Sequence, residues 1–192
     1  MKKGGNKSFK YILIVIIVLV LVVIVVNNYN VIYKMQYPVK YEEYVRKYAH
    51  KYEVDPLLVF SIIKAESGFN SNAISHKHAR GLMQISETTG KWGASNIGLE
   101  DYSENDLYDP ETNVHIGCWY INVLKSQFND NIDLVITAYN GGSGNVSKWL
   151  KDPRYSTDGY ILKKIPFKET ENYLKKVKSN YEMYKRLYDG YF

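Results

Sequence analysis

The sequence predicts a mainly α-helical protein, with one apolar helix near the N-terminus followed by a helical domain. Three observations carry this prediction. Tyr11 to Val26 is an unbroken apolar run. Beyond it, apolar residues recur every three or four positions, the period of a helix with one buried face. No segment alternates apolar and polar residues long enough for a strand, apart from a short extended piece at Ala79–Ile85. There is no internal repeat at a period of roughly 20–50 residues.

The apolar run comes first. Ile12 to Val26 alone would span about 22 Å as a helix, short of the roughly 30 Å hydrocarbon core, whereas Ile12 to Ile32 would reach about 31 Å. Asn27, Asn28 and Asn30, beside Tyr29, suit the headgroup region. A cleaved signal peptide is the rival reading, because the run also fits an h-region. The flank after Val26 lacks a small-x-small cleavage site and a nearby cysteine for a lipid anchor, which favours a retained anchor. We therefore divide the chain into a basic cytoplasmic tail (1–10), a transmembrane signal anchor (11–32), a juxtamembrane linker (33–40) and a domain (41–192). The lysines before the run predict an N-in, C-out, single-pass orientation, with the domain on the extracytoplasmic side.

Charge supports this division. The chain carries 25 Lys+Arg and 20 Asp+Glu. Lys2, Lys3, Lys7, Lys10 and Lys34 are the only charged residues before position 35, so the part beyond is balanced. A neutral body argues against nucleic acid as partner. Within it, Leu99–Val135 is acidic and Lys151–Phe192 basic, as expected of solvated faces of opposite sign. The composition of the whole chain, 23% charged and 15% aromatic, is that of a folded protein. The single cysteine, Cys118, excludes an intrachain disulfide framework and sits in an apolar stretch as a buried hydrophobe.

Leading into the domain, Pro38 interrupts a tyrosine stripe (Tyr29, Tyr33, Tyr37, Tyr41, Tyr44, Tyr48, Tyr52), so the first folded helix is expected from about Val39 to Tyr52. Further helices are expected at Pro56–Ser67, Glu87–Trp92, Pro110–Phe128, Ile132–Tyr139, Val146–Leu150 and Thr170–Leu187. Asp55-Pro56 is a sound start for the second of these, with Asp as cap and Pro in the first turn. The last helix carries another stripe: Tyr173, Val177, Tyr181, Tyr184, Tyr188 and Tyr191. Both stripes read as core faces with hydroxyls at the wet edge, in preference to sugar-stacking surfaces. Loops are expected at Gly68–Arg80, Gly93–Tyr108, Asn140–Asn145 and Pro153–Gly159.

Glu66 does not fit a plain amphipathic helix. One turn back lie Ile62 and Ile63 and two turns back Val59, so its carboxyl falls on the apolar face. Glutamate is rarely buried there without a reason. Either the helix ends at Ser67-Gly68 and the side chain reaches water, or the carboxyl sits at the mouth of a cleft with an apolar floor. In the second case desolvation raises its pKa and leaves a proton donor near neutral pH.

Glu66-Ser67-Gly68-Phe69-Asn70, Gly81-Leu82-Met83-Gln84 and Ala138-Tyr139-Asn140-Gly141-Gly142 resemble, in this order, motifs of the lytic transglycosylase domain. This is the lysozyme-like fold shared with goose-type lysozyme. Ile165-Pro166-Phe167-Lys168-Glu169-Thr170, followed by Asn172-Tyr173, resembles the family's closing segment. The match spans about Tyr41 to Tyr188.

The resemblance implies cleavage of the β-1,4 bond between N-acetylmuramic acid and N-acetylglucosamine in peptidoglycan, with formation of 1,6-anhydro ends. By motif, Glu66 is the single catalytic acid and base, and Ser75 contacts the N-acetyl region. Gln84 lines the cleft, Tyr139 stands opposite the acid, and Glu169 and Tyr173 are cleft-wall or supporting residues. Ser67, Gly81, Leu82, Met83, Asn140 and Gly141 are motif positions. Gly81 suits a tight backbone path, Met83 the core, and Asn140-Gly141-Gly142 the end of a helix. No metal or organic cofactor is implied, and His76-x-His78 reads as loop polarity. The implied partners are peptidoglycan glycan strands and the membrane.

Two departures stand out. Ser86-Glu87 replaces the family's frequent Met-Pro and adds a carboxylate near the cleft, and Gly141-Gly142-Ser143-Gly144 replaces Ala-Gly-Pro-Gly. A hydrolytic muramidase using Glu87, or another carboxyl near the cleft, to activate water, and a non-catalytic membrane-anchored glycan-binding or assembly protein, are the alternatives.

Overall fold

The computed structural model describes residues 5–192. Lys2 and Lys3, part of the predicted tail, lie outside the described residues, as do the side chains of Asn27 and Asn30. The chain divides into two units, one ending at Pro38 and the other Val39–Phe192.

The first unit is α1 (Gly5–Asn27) and α2 (Tyr29–Gln36). Within α1, Lys7–Val26 is long and apolar enough to cross a membrane by length and composition. A single turn residue, Asn28, joins the two helices and caps the second, its backbone carbonyl accepting from the Ile32 amide at 3.0 Å. The predicted linker at 33–40 is therefore helical as far as Gln36. Helix ends where Pro38 forces its predecessor Tyr37 out of the α region, at φ −121°, ψ 64°.

The second unit is built around α4 (Pro56–Glu66). Asp55 caps it, Oδ1 accepting from the Leu57 amide at 2.7 Å, with Pro56 at the first position. Every residue from Leu57 to Ile63 is buried, so the helix is covered all round. Phe60, Ile62 and Ile63 each stabilise by about 2 kcal/mol through burial. The covering comes from α3 (Glu42–Lys51) and, most extensively, α9 (Lys168–Tyr188). Tyr184 of α9 stacks on Phe60 at 5.8 Å, and the Tyr181 hydroxyl donates to Asp55. On α3, Tyr48 stacks on His115 at 4.0 Å. The second stripe thus serves as a packing face, with Tyr173, Tyr184 and Tyr188 buried, whereas of the first only Tyr48 is buried.

The remaining elements are α5 (Glu87–Ile97), a 3₁₀ turn (Glu104–Tyr108), α6 (Pro110–Gln127), α7 (Ile132–Gly141) and α8 (Ser143–Leu150). Helix α5 runs five residues past its predicted end at Trp92. Gly93 was expected to open a loop. Instead it lets α5 approach α6, since a β-carbon there would lie 2.7 Å from Ile116 Cγ2. The helix stops at Gly98, whose φ of +74° is left-handed. Among the described residues there is no strand: Ala79–Ile85 makes isolated bridges, Ile74 to Arg80 and Arg80 to Ile85, around a turn. Met83 and Cys118 are fully buried, as expected.

Candidate active site

Glu66 is the last residue of α4, and four neighbours fix it there. Ser67 donates from Oγ to the Leu82 carbonyl at 2.8 Å, tying the helix end to the Gly81–Gln84 turn. Lys176 of α9 donates to the Ala65 carbonyl at 2.6 Å. Tyr173, one turn earlier on α9 and buried, donates its hydroxyl to Glu66 Oε1 at 2.7 Å. Ile63, beneath, is wholly buried.

Burial raises the Glu66 carboxyl to about 7, and the nearby Glu169 charge adds to the rise. The Tyr173 hydrogen bond and the Lys176 ammonium oppose it. Near neutral pH the group therefore holds a proton in a substantial fraction of molecules and can also accept one back.

Glu66 opens into a cleft of about 330 Å³ that also receives Ser75, Lys77, Gln84, Tyr139 and Glu169. Each is positioned by backbone chemistry. Tyr139, near the end of α7, donates to the Met83 carbonyl at 2.9 Å. Burial holds its phenol well above the usual range, so it stays neutral. Gln84, at φ +48°, donates from Nε2 to the carbonyls of Gly81 (2.9 Å) and Ala73 (3.1 Å), pinning the loop that carries Ser75. Ser75 Oγ accepts from the Ala79 amide at 3.1 Å while facing the cleft. Asn140 Oδ1 accepts from Thr170 at 2.8 Å, and Gly141 packs against the same threonine. These bonds join the closing segment to the end of α7.

The structure thus brings Glu66, Ser75, Gln84, Tyr139 and Glu169 to one cleft. Tyr173 is different. It does not line the cleft but lies behind Glu66 as its hydrogen-bond donor, the supporting place of the two that the resemblance implies. Glu169 is exposed at the lip and pairs with Lys77 at 3.7 Å. Glu87 also departs from expectation. It is paired with Lys91 at 2.5 Å, one turn along α5, and does not line the cleft; Ser86 does. His76 and Lys77, both exposed, line the cleft, whereas His78 does not.

Sequence reasoning missed Asn113 of α6, which organises the motif turn. Wholly buried, it accepts from the Met83 amide at 2.8 Å and donates to the carbonyls of Leu107 (2.8 Å) and Arg80 (2.9 Å). Gly81 must be glycine for the same reason. Its φ is +76°, and a β-carbon would lie 2.1 Å from the Leu107 oxygen and 2.3 Å from Asn113 Nδ2. The available signal was a lone Asn on the apolar face of a helix, the same anomaly that drew attention to Glu66. Thr89 and Tyr120, which also line the cleft, were likewise missed.

Removing the Tyr173 hydroxyl tests this electrostatic arrangement. The bond favours the charged carboxylate, so Tyr173→Phe raises the Glu66 pKa further. The alkaline limb of a kcat/KM profile, where the acid loses its proton, should move to higher pH in that variant. An unmoved limb would show that the hydroxyl does not control the proton.

Comparison with known proteins finds relatives by sequence and by fold. The family model described as transglycosylase SLT domain matches residues 43–161. The soluble lytic murein transglycosylase of Escherichia coli (strain K12) is 32% identical over 157 residues, covering 81% of this chain and 24% of that protein. The membrane-bound lytic murein transglycosylase C of Pectobacterium atrosepticum is 33% identical over 175 residues, 77% of this chain and 47% of its own. This chain therefore spans a quarter to a half of the curated relatives it matches. Among solved structures, an inactive glutamate-to-glutamine mutant of lytic transglycosylase Slt from Pseudomonas aeruginosa superimposes with a TM-score of 0.71 and 33% identity, covering 80% of this chain and 25% of that one. The chain belongs to the transglycosylase SLT domain family.

Proposed function

We propose that the chain is a peptidoglycan lytic transglycosylase in which Glu66 is the only catalytic carboxyl. One observation carries the reading. Glu66 is a carboxyl raised to about 7 by desolvation and fixed in place by the Tyr173 hydroxyl, in a cleft whose other lining carboxylate, Glu169, is exposed and paired with Lys77. Most glycosidases set two carboxyls across the scissile bond, the second activating water or attacking the sugar. An exposed carboxylate with a lysine partner is poorly suited to that task.

In the proposed reaction Glu66 gives its proton to the glycosidic oxygen between N-acetylmuramic acid and N-acetylglucosamine. The C1–O bond breaks and N-acetylglucosamine leaves with a free 4-hydroxyl. The substrate's own N-acetyl group stabilises the cationic C1. Glu66, now a carboxylate, takes the proton of the muramoyl 6-hydroxyl, and O6 bonds to C1. The acid is restored, a 1,6-anhydro end is formed, and no water is consumed. Ser75 and Gln84 position the sugar, and Tyr139 shapes the wall facing the acid. The chemistry supplied by these residues needs no cofactor.

Incubating intact sacculi with the full chain tests the reading. Released muropeptides should carry termini lighter by one water than the hydrolysed products. Reducing ends would assign a hydrolytic muramidase, and binding without release a non-catalytic wall protein.

We further propose that α1 anchors the domain, N-in and C-out, on the wall side of the membrane, as the apolar Lys7–Val26 segment and the membrane-bound relative support. The full chain is expected in the membrane fraction, resistant to high salt and released by detergent. A soluble product beginning near Asn27 would contradict the anchor.

A further inference from the structure

The cleft does not end at its lining residues. Ser86, the cap of α5, and Thr89 one turn on both face it. The next position on that flank is Trp92, about 4.5 Å further along the helix axis. Its indole is 48% exposed, the only tryptophan among the described residues that is not buried. It is also held in place. The ring stands edge-on to Trp119 at 4.7 Å and to Tyr120 at 6.3 Å. Tyr120 lines the cleft, and its ring lies 5.5 Å from that of Tyr139. The close approach of α5 to α6 at Gly93 makes this packing possible.

An aromatic wall thus runs from Tyr139, in the lining beside Glu66, through Tyr120 to Trp92. It leaves the floor of the cleft and surfaces as an exposed ring. Packing alone would bury the indole as it buries Trp119 and Trp149. The face of an aromatic ring is electron-rich and apolar, and suits the C–H face of a pyranose. An exposed, immobilised indole continuous with a sugar cleft is therefore suited to a further sugar ring.

We propose that Trp92 forms an outlying glycan subsite, stacking on a pyranose of the strand beyond those held in the cleft. The inference rests on the glycan reading of the cleft given above. The subsite favours long strands over short ones, because only a long strand reaches from Glu66 to the indole.

The test compares defined N-acetylglucosamine–N-acetylmuramic acid strands, short and long, using the full chain in detergent. The ratio of kcat/KM for long over short strands should fall about five- to ten-fold in Trp92→Ala. Trp92→Phe should restore most of it. Trp92→Leu, which keeps apolar packing against Trp119 without an aromatic face, should not. An unchanged ratio in Trp92→Ala, an equal loss on both lengths, or rescue by Leu as full as by Phe would overturn the subsite. A binding arm keeps the two claims separable. If the unsubstituted chain forms no anhydro ends, the activity reading fails, while the affinity of Glu66→Gln for long strands, with and without Trp92→Ala, still decides the subsite.

Discussion

Replacing Glu66 with glutamine is expected to lower kcat/KM on peptidoglycan by at least about 100-fold, with the cleft intact. The amide keeps the shape of the carboxyl but carries no transferable proton, and the mechanism needs the carboxyl first to give a proton and then to take one. Tyr173 still has an oxygen to donate to. Strand binding should therefore survive, and the loss should appear in kcat. Near-normal turnover would remove Glu66 from the mechanism.

The same substitution has a stability signature. The carboxyl holds its proton more tightly in the folded chain, at about 7, than its ordinary value of 4.5. Its contribution to folding is thus fully favourable below about pH 4.5 and is lost as pH rises through 7. Glutamine never ionises. Glu66→Gln should gain thermal stability over the unsubstituted chain above pH 7 and show little difference near pH 4. The site keeps a carboxyl where folding would prefer a neutral group.

Asn113→Leu is expected to destabilise the domain by about 3–5 kcal/mol and to take activity with it. The Met83 amide and the Leu107 carbonyl lose their side-chain partner in a site closed to water, and the Arg80 carbonyl is left with only the bond from the Ile85 amide. Each buried group left unpaired costs about 1–3 kcal/mol. The leucine also crowds the path beside Gly81, where Asn113 Nδ2 already lies against the glycine. Thermal unfolding of the variant measures this. A melting temperature within a degree or two of the unsubstituted chain would show that the turn is held by other means.

The helical architecture was legible because each helix repeats its apolar face with the helical period and several announce their caps, as Asp55-Pro56 does for α4. Glu66 was legible as a charge on an apolar face, and the structure gives that anomaly its reason. The boundaries were less so. The α5 helix looked finished at Trp92 because Gly93 reads as a breaker, and only its contact with Ile116 and Trp119 shows why glycine is needed inside the helix. Tyr173 sits on a stripe of core tyrosines and is indistinguishable from them by period. What sets it apart is a hydrogen bond to a residue 107 positions away. Glu87 looked like a second cleft carboxylate by its nearness to Gln84 in sequence, but its helical register turns it to Lys91. Asn113 and Trp92 make their contacts across elements, and only the lone Asn on an apolar helix face gave a local sign of one of them.

The central claim is that the bond is broken by internal closure, with Glu66 as acid and then base and no attack by water. Digestion of sacculi by the full chain in heavy-oxygen water tests it most directly. The account predicts 1,6-anhydro ends with no heavy oxygen at C1. Reducing N-acetylmuramic acid ends carrying the label at C1 would contradict it.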